Sequence, residues 1–205
     1  MNILLREAKK SDMKAVLFLI KELATFEKEN NAVEVTENDL IRDGFGEQPA
    51  FKVFVAEETN EIVGAALFYE RYSTWKGKII HLEDLIVKQD HRNKGIGKAL
   101  YTKVLKYASD QKVKRVSWEV LDWNKVAIDF YESTGANIMD GWQVVQSRFG
   151  QEAFLPVSEG VGMPAFEVEK WRYCPFHRTA LVQYHCNSLG ILLGHNQGEV
   201  LVQVR

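Results

Sequence analysis

Along this chain, stretches with apolar residues at every third or fourth position alternate with short stretches that are apolar throughout or at every second position. Residues 3–6 form a short β-rich run. Met13, Val16, Leu17, Ile20, Leu23 and Ala24 then recur at helical spacing, and Ser11 just before them is the expected cap. Thr36 with Asp39 three residues on is a capping-box variant that opens a second, shorter helix, which the run Asp43-Gly44-Phe45-Gly46 closes. Residues 51–56 and 62–69 are strand-like and flank Glu57-Glu58-Thr59-Asn60-Glu61, which reads as a hairpin turn. The next strand covers 78–87, and a helix over 95–110 follows with Ile96, Leu100, Val104 and Ala108 on one face. A strand over 113–121 leads to a helix over 124–133 that Gly135 stops in the left-handed conformation, and residues 137–146 end strand-like in WQVVQ. The order β-α-α-β-β-β-α-β-α-β predicts an α/β fold, a mixed sheet in one domain.

After Gln146 this pattern stops. Residues 1–146 hold 16 Lys and 5 Arg, whereas residues 147–205 hold 1 Lys and 4 Arg together with three of the four prolines. The expected division is therefore a domain over 1–146 and a C-terminal extension of unknown role over 147–205. In that extension Cys174, His177, His185 and Cys186 have poor spacing for a zinc site, and no metal is expected.

Composition narrows the classes of partner. A chain of 205 residues that is 46% hydrophobic can bury one good core. Its net charge of −2 offers no basic excess for nucleic acid or an anionic membrane. No apolar run approaches the ~18 residues of a membrane span, and the N-terminus lacks a signal-like apolar stretch. The expectation is a cytoplasmic protein with neither a nucleic-acid nor a membrane partner. No cysteine precedes Cys174, so the main domain implies no oxidising compartment.

Two neighbouring features carry candidate chemistry. Glu83 and Asp84 interrupt an apolar strand, and successive strand residues face opposite ways, so both cannot reach water if the sheet is covered on both faces. A buried unpaired carboxylate is costly, so these groups need either a cationic partner or a task. Just beyond, Arg92-Asn93-Lys94-Gly95-Ile96-Gly97 lies between strand and helix, where free backbone N–H groups and the helix dipole can hold a phosphate. An ordinary glycine turn explains the local sequence equally well. A Walker A loop is ruled out because GxxxxGK[ST] does not occur, and a dinucleotide-binding oxidoreductase is disfavoured because Leu100 stands where the third glycine would be.

The motif Arg92-x-x-Gly95-x-Gly97, in this element order, resembles the [QR]xxGx[GA] pyrophosphate motif of the GNAT N-acetyltransferases. RDGFGEQP, YSTWKGKIIHLED and VLDWNKVAIDFYESTGA resemble the diamine and thialysine N-acetyltransferase branch, and the resemblance runs from Ile3 to about Gln146. It implies the GNAT fold, a mostly antiparallel central sheet flanked by helices. It also implies acetyl-CoA as donor, a homodimer, and direct attack by a small-molecule amine in a ternary complex. No cysteine is available in the matched domain for an acetyl-cysteine intermediate.

Residue by residue, the resemblance implies a pyrophosphate held by Arg92, Asn93, Lys94, Gly95, Ile96, Gly97 and Lys98. The backbone of Leu85, Ile86 and Val87 would bind pantetheine and polarise the acetyl carbonyl. Asn124 would cap its helix and touch the pantetheine arm, with Lys125, Val126 and Ala127 beside it. An amine arrives protonated at neutral pH, and Glu83, acting through water, would be its base, with Asp84 orienting substrate or solvent. Tyr131, about 10 Å along the helix from Asn124, would protonate the departing thiolate, although a core aromatic is its other reading. The acceptor pocket would comprise Phe26, Glu27, Trp75, Glu83, Asp84, Trp118, Glu119, Asp140 and Trp142.

One departure bears on the substrate: Ser73 stands where the spermidine-acetylating members carry an aspartate. The loss of that anchor favours a thialysine-like amino acid or short diamine over long polyamines. Two alternatives remain, a protein or peptide N-acetyltransferase with an open groove and a catalytically silent CoA-binding module.

Overall fold

The alternation of β and α stretches is realised in a computed structural model that describes residues 3–146. Expectations for 147–205, including the zinc question, lie outside the described residues. Strands β1 (Ile3–Glu7), β2 (Lys52–Glu58), β3 (Glu61–Ser73), β4 (Gly77–Val87) and β5 (Val116–Ser117) form one sheet in that order. The first four pair antiparallel and β5 joins β4 in parallel, so the sheet is mixed and mostly antiparallel, as expected. Helices α1 (Met13–Phe26), α2 (Glu37–Phe45), α3 (Ile96–Asp110) and α4 (Lys125–Ser133) complete the fold.

The two-residue period of β2 divides the core. Val53 and Val55 join Met13, Val16, Leu19 and Leu40 in a cluster beneath α1 and α2, while Phe54 and Ala56 join Leu100, Val104 and Tyr131 beneath α3 and α4. Thr59 and Asn60 both have positive φ, the conformation that a two-residue hairpin of type I′ requires. At α2 the capping box forms as read, with Asp39 N–H donating to the Thr36 hydroxyl and Thr36 N–H donating to the Asp39 carboxylate.

Three expectations change. Asp12, not Ser11, sits at the start of α1. Its carboxylate accepts from Lys9 N–H and is gripped by Arg6, with Nη1 to Oδ2 at 2.6 Å, while Arg6 Nε reaches Glu57 at 2.6 Å. Asp12 makes no side-chain hydrogen bond to the first turn of α1; its carboxylate instead closes an ion-pair network through Arg6 to Glu57 of β2. The strand expected over 113–121 shortens to Val116–Ser117, because β4 pairs with it only at Ile80↔Val116 and His81↔Ser117. Residues 137–146 form no strand. Residues up to Ile138 make one compact unit, and a second begins at Met139. Gly135 has φ +83° and closes α4 as read.

Candidate active site

The phase of β4 changes at its middle. Ile80 and Leu82 belong to the α3-side cluster, but Ile86 belongs to the α1-side cluster, and Leu85 and Val87 pack on the α3 side. The pairing with β3 accounts for the switch: Phe68 opposes Leu82 and Leu67 opposes Asp84, so Glu83 is the extra residue of a β-bulge. Strict alternation therefore fails at the point where the sequence argument relied on it. Asp84 shares the α1 face with Leu67, His81 lies on that face opposite Tyr69, and Glu83 stands between His81 and Asp84.

The two carboxylates have different surroundings. Glu83 is exposed, with Oε2 3.7 Å from His81 Nε2. Asp84 is half-buried, and desolvation, followed by the charges of Glu83 and Glu27, pushes its carboxyl up to about 6. Partial burial and Glu29 also raise Glu27 at the end of α1. Burial and the adjoining Glu83 push Tyr69 up to about 12. Phe26, next to Glu27, has Trp123 on one side with centroids 5.5 Å apart and the Arg92 guanidinium 5.6 Å from its ring.

Beyond His81 the β5-side edge of β4 has no paired strand among the described residues, so Leu85, Ile86 and Val87 present backbone along an opening between β4 and β5. The glycine turn lies at the end of that strand. Asn93 and Gly95 have φ of +60° and +79°, and Gly95 is the cap of α3. Ala99 N–H donates to Gly95 O, leaving Ile96, Gly97 and Lys98 as first-turn N–H groups ahead of it. A Cβ at Gly97 would meet only Val87 Cγ2, at 3.7 Å, so space lies open beside the turn. These donors, with Lys94 and Lys98 exposed beside them, fit a pyrophosphate. Arg92 is exposed beside the turn, and its Nε donates to Val87 O at 3.0 Å.

Asn124 caps α4 as read, accepting from Ala127 N–H at 3.2 Å, with Lys125 and Val126 exposed in the first turn. Tyr131 is only 8% exposed and lies 4.8 Å from Trp118 and 5.8 Å from Tyr101 between ring centroids. Burial, then Tyr101, pushes its hydroxyl up to about 12, so it keeps its proton at neutral pH. Trp118 thus sits in an aromatic cluster with Tyr131 on the α3 side. Its neighbour Glu119 is exposed and turns its charge toward Tyr69 and His81. Trp75 is exposed in the β3–β4 turn, where its N–H donates to the Ser73 hydroxyl. Asp140 and Trp142 are exposed in the second unit. Sequence reading passed over His81, Tyr69 and Trp123. The signal for His81 was a polar ring at an inward position two residues before Glu83.

Residues 14–136 match the acetyltransferase (GNAT) family, and the chain belongs to it. It is an acetyltransferase, and enzymes of this fold use acetyl-CoA. Over 162 residues it is 41% identical to a thialysine N-epsilon-acetyltransferase of Bos taurus, covering 74% of this chain and 94% of the relative. It is 34% identical to spermidine/spermine N(1)-acetyltransferase-like protein 1 of Homo sapiens, over 75% of this chain and 23% of that one. Among solved structures it is similar to an integron cassette protein from the mobile metagenome of V. cholerae, with a TM-score of 0.61, 23% identity, and coverage of 73% and 94%. An aminoglycoside N-acetyltransferase in complex with CoA gives a TM-score of 0.58 at 15% identity, over 72% and 96% of the two chains. At these identities the structures share the fold alone.

Proposed function

We propose that the protein transfers acetyl from acetyl-CoA to a primary amine of a small cationic acceptor, a thialysine-like amino acid or a short diamine, by direct attack in a ternary complex. The observation that carries this reading is the bulge at Glu83, which brings two carboxylates to one face beside Glu27, next to the opening between β4 and β5. A protonated amine is drawn to that negative charge, and Asp84, whose charge burial disfavours, gains a counter-ion when the amine binds. Relatives named thialysine N-epsilon-acetyltransferase support the same substrate class.

Acetyl-CoA supplies the activated acyl group. The N–H groups of Ile96, Gly97 and Lys98 hold its pyrophosphate, and the β4 backbone at Leu85, Ile86 and Val87 orients pantetheine and the acetyl carbonyl. Asn124, with Lys125, Val126 and Ala127, borders the pantetheine arm. Glu83 takes the ammonium proton through water, and Tyr131 donates its hydroxyl proton to the leaving thiolate. Burial keeps Tyr131 protonated until the thiolate forms, and the transfer that neutralises the thiolate leaves a tyrosinate to be reprotonated before the next turnover. Phe26, Glu27, Asp84 and Glu119 form the acceptor side, and Trp75 at the hairpin offers an aromatic face for the cation. A cytoplasmic homodimer belongs to the same proposal.

Consumption of acetyl-CoA measured over putrescine, spermidine, lysine, thialysine and a lysine peptide tests the reading. The highest kcat/KM should fall on thialysine or a short diamine. Preference for the peptide overturns the acceptor class, and no consumption with any amine leaves a silent CoA-binding module.

A further inference from the structure

His81 is 7% exposed, yet it is a polar ring placed two residues before Glu83 on the same strand. Both of its nitrogens face polar side chains. Nδ1 lies 3.4 Å from the Ser117 hydroxyl across the short β4–β5 ladder, and Nε2 lies 3.7 Å from Glu83 Oε2. On its other side the ring packs on Tyr69, its register partner in β3, with centroids 5.2 Å apart. The groups that bear on it are Glu83 on its own strand, Arg71 and Tyr69 on β3, and Ser117 and Glu119 at β5 and just beyond.

Chemistry fixes the direction of this chain. A carboxylate can only accept, so in the neutral ring Nε2 carries the hydrogen that faces Glu83, and Nδ1 is left to accept from the Ser117 O–H. Burial is the largest influence on the ring and favours its neutral form. A neutral ring leaves Glu83 available to take a proton from substrate, whereas an imidazolium would hold it as an ion pair. A spacing of 3.7 Å lies just outside hydrogen-bond reach, the looseness that catalytic pairs commonly show before substrate binds. Glu83 is the extra residue of a bulge and has no register partner in β3. The Tyr69 hydroxyl bonds it from that strand, and the Ser117–His81 arm adds a constraint from the β5 side.

We propose that His81 is a positioning residue for Glu83, its imidazole oriented by Ser117 so that Nε2–H aims the carboxylate at the acceptor amine. The proposal rests on Glu83 being the base. It explains why β5, short as it is, pairs with β4 at His81: that rung carries the hydroxyl that sets the tautomer.

The test is a double-mutant cycle in steady-state kinetics on the full chain, with His81→Phe, Glu83→Gln and the pair, supplemented by His81→Gln and Ser117→Ala. His81→Phe should lower kcat about 10- to 100-fold while KM for acetyl-CoA changes less than about twofold. In the Glu83→Gln background it should cost less than about twofold more, because a positioning residue has nothing left to position. His81→Gln, which keeps a donor at the end of its side chain, should recover most of the loss, and Ser117→Ala should fall between His81→Gln and His81→Phe. Equal losses in both backgrounds, or wild-type turnover in His81→Phe, overturn the proposal while leaving Glu83 as base. Wild-type turnover in Glu83→Gln removes the base assignment, and this proposal with it.

Discussion

The two faces of β4 provide unlike surroundings for two proton-transfer groups. On the α1 face Glu83, Asp84, Glu27, His81 and Tyr69 form a charged, partly wet group in which burial, with Glu83 and Glu27, raises the affinity of Asp84 for a proton or cation. On the α3 face Tyr131 is enclosed by Tyr101, Trp118 and Phe130. A site that must attract and deprotonate a cation benefits from surplus negative charge. A hydroxyl that must yield its proton to a thiolate benefits from having none nearby, because negative charge would bind that proton more tightly. One strand borders both environments because the bulge at Glu83 reverses its side-chain phase, and the divergence of β5 leaves room between them.

Removing the acid on the dry face should give the largest effect. Tyr131→Phe is expected to lower kcat by ~10²–10⁴-fold with acetyl-CoA affinity nearly unchanged, since only the hydroxyl is deleted. Wild-type turnover would return Tyr131 to the role of a core aromatic. The glycine turn serves both faces, and Gly97→Asp should weaken acetyl-CoA binding roughly 10- to 100-fold in calorimetry, about 1.4–2.8 kcal/mol. The new Cβ meets only Val87 at an ordinary distance, so the fold should survive. Unchanged affinity would show that the pyrophosphate binds elsewhere.

On the charged face, Asp84 links activity to stability. Its carboxyl is raised to about 6 from 3.8, so the folded state binds the proton more tightly than the unfolded state. That contribution is full below about 4 and is lost as pH rises through about 6. Asp84→Asn should therefore raise Tm above pH 6, by up to about 2–3 kcal/mol of stability, and the gain should fade between pH 6 and 4. A gain independent of pH would mean that packing, not charge, is responsible. The smallest effect concerns acceptor length. Ser73→Asp should raise kcat/KM for spermidine relative to a short diamine by a few-fold, about 1 kcal/mol, by restoring a carboxylate anchor. No change in that ratio would place the selectivity with Glu27 and Asp84 instead.

The elements that were legible in the sequence are those whose signals are local. Helical spacing located α1 and α3, and the Thr36–Asp39 box, the Asn124 cap and Gly135 bounded α2 and α4 because each acts within a turn of backbone. The bulge was not legible, since it depends on which β3 residue Glu83 fails to oppose, and that is a property of pairing between strands. The same reason hid His81, whose meaning comes from Ser117, a residue 36 positions away. Arg92, whose motif position suggests a phosphate ligand, also has contacts that the motif does not display: its Nε donates to Val87 O and its guanidinium lies over the Phe26 ring. Trp118 was grouped with the acceptor residues, whereas its ring packs with Tyr131 on the other side of the sheet.

The most direct test of two proton-transfer groups on opposite faces is the pH dependence of kcat/KM between about pH 7 and 10 for wild type, Glu83→Gln and Tyr131→Phe, using a short amine acceptor. As pH rises the amine sheds its own proton, so the deficit of Glu83→Gln should shrink toward wild type while that of Tyr131→Phe does not. A Glu83→Gln deficit that stays constant across this range would contradict the account, because a base is needed less as its substrate deprotonates.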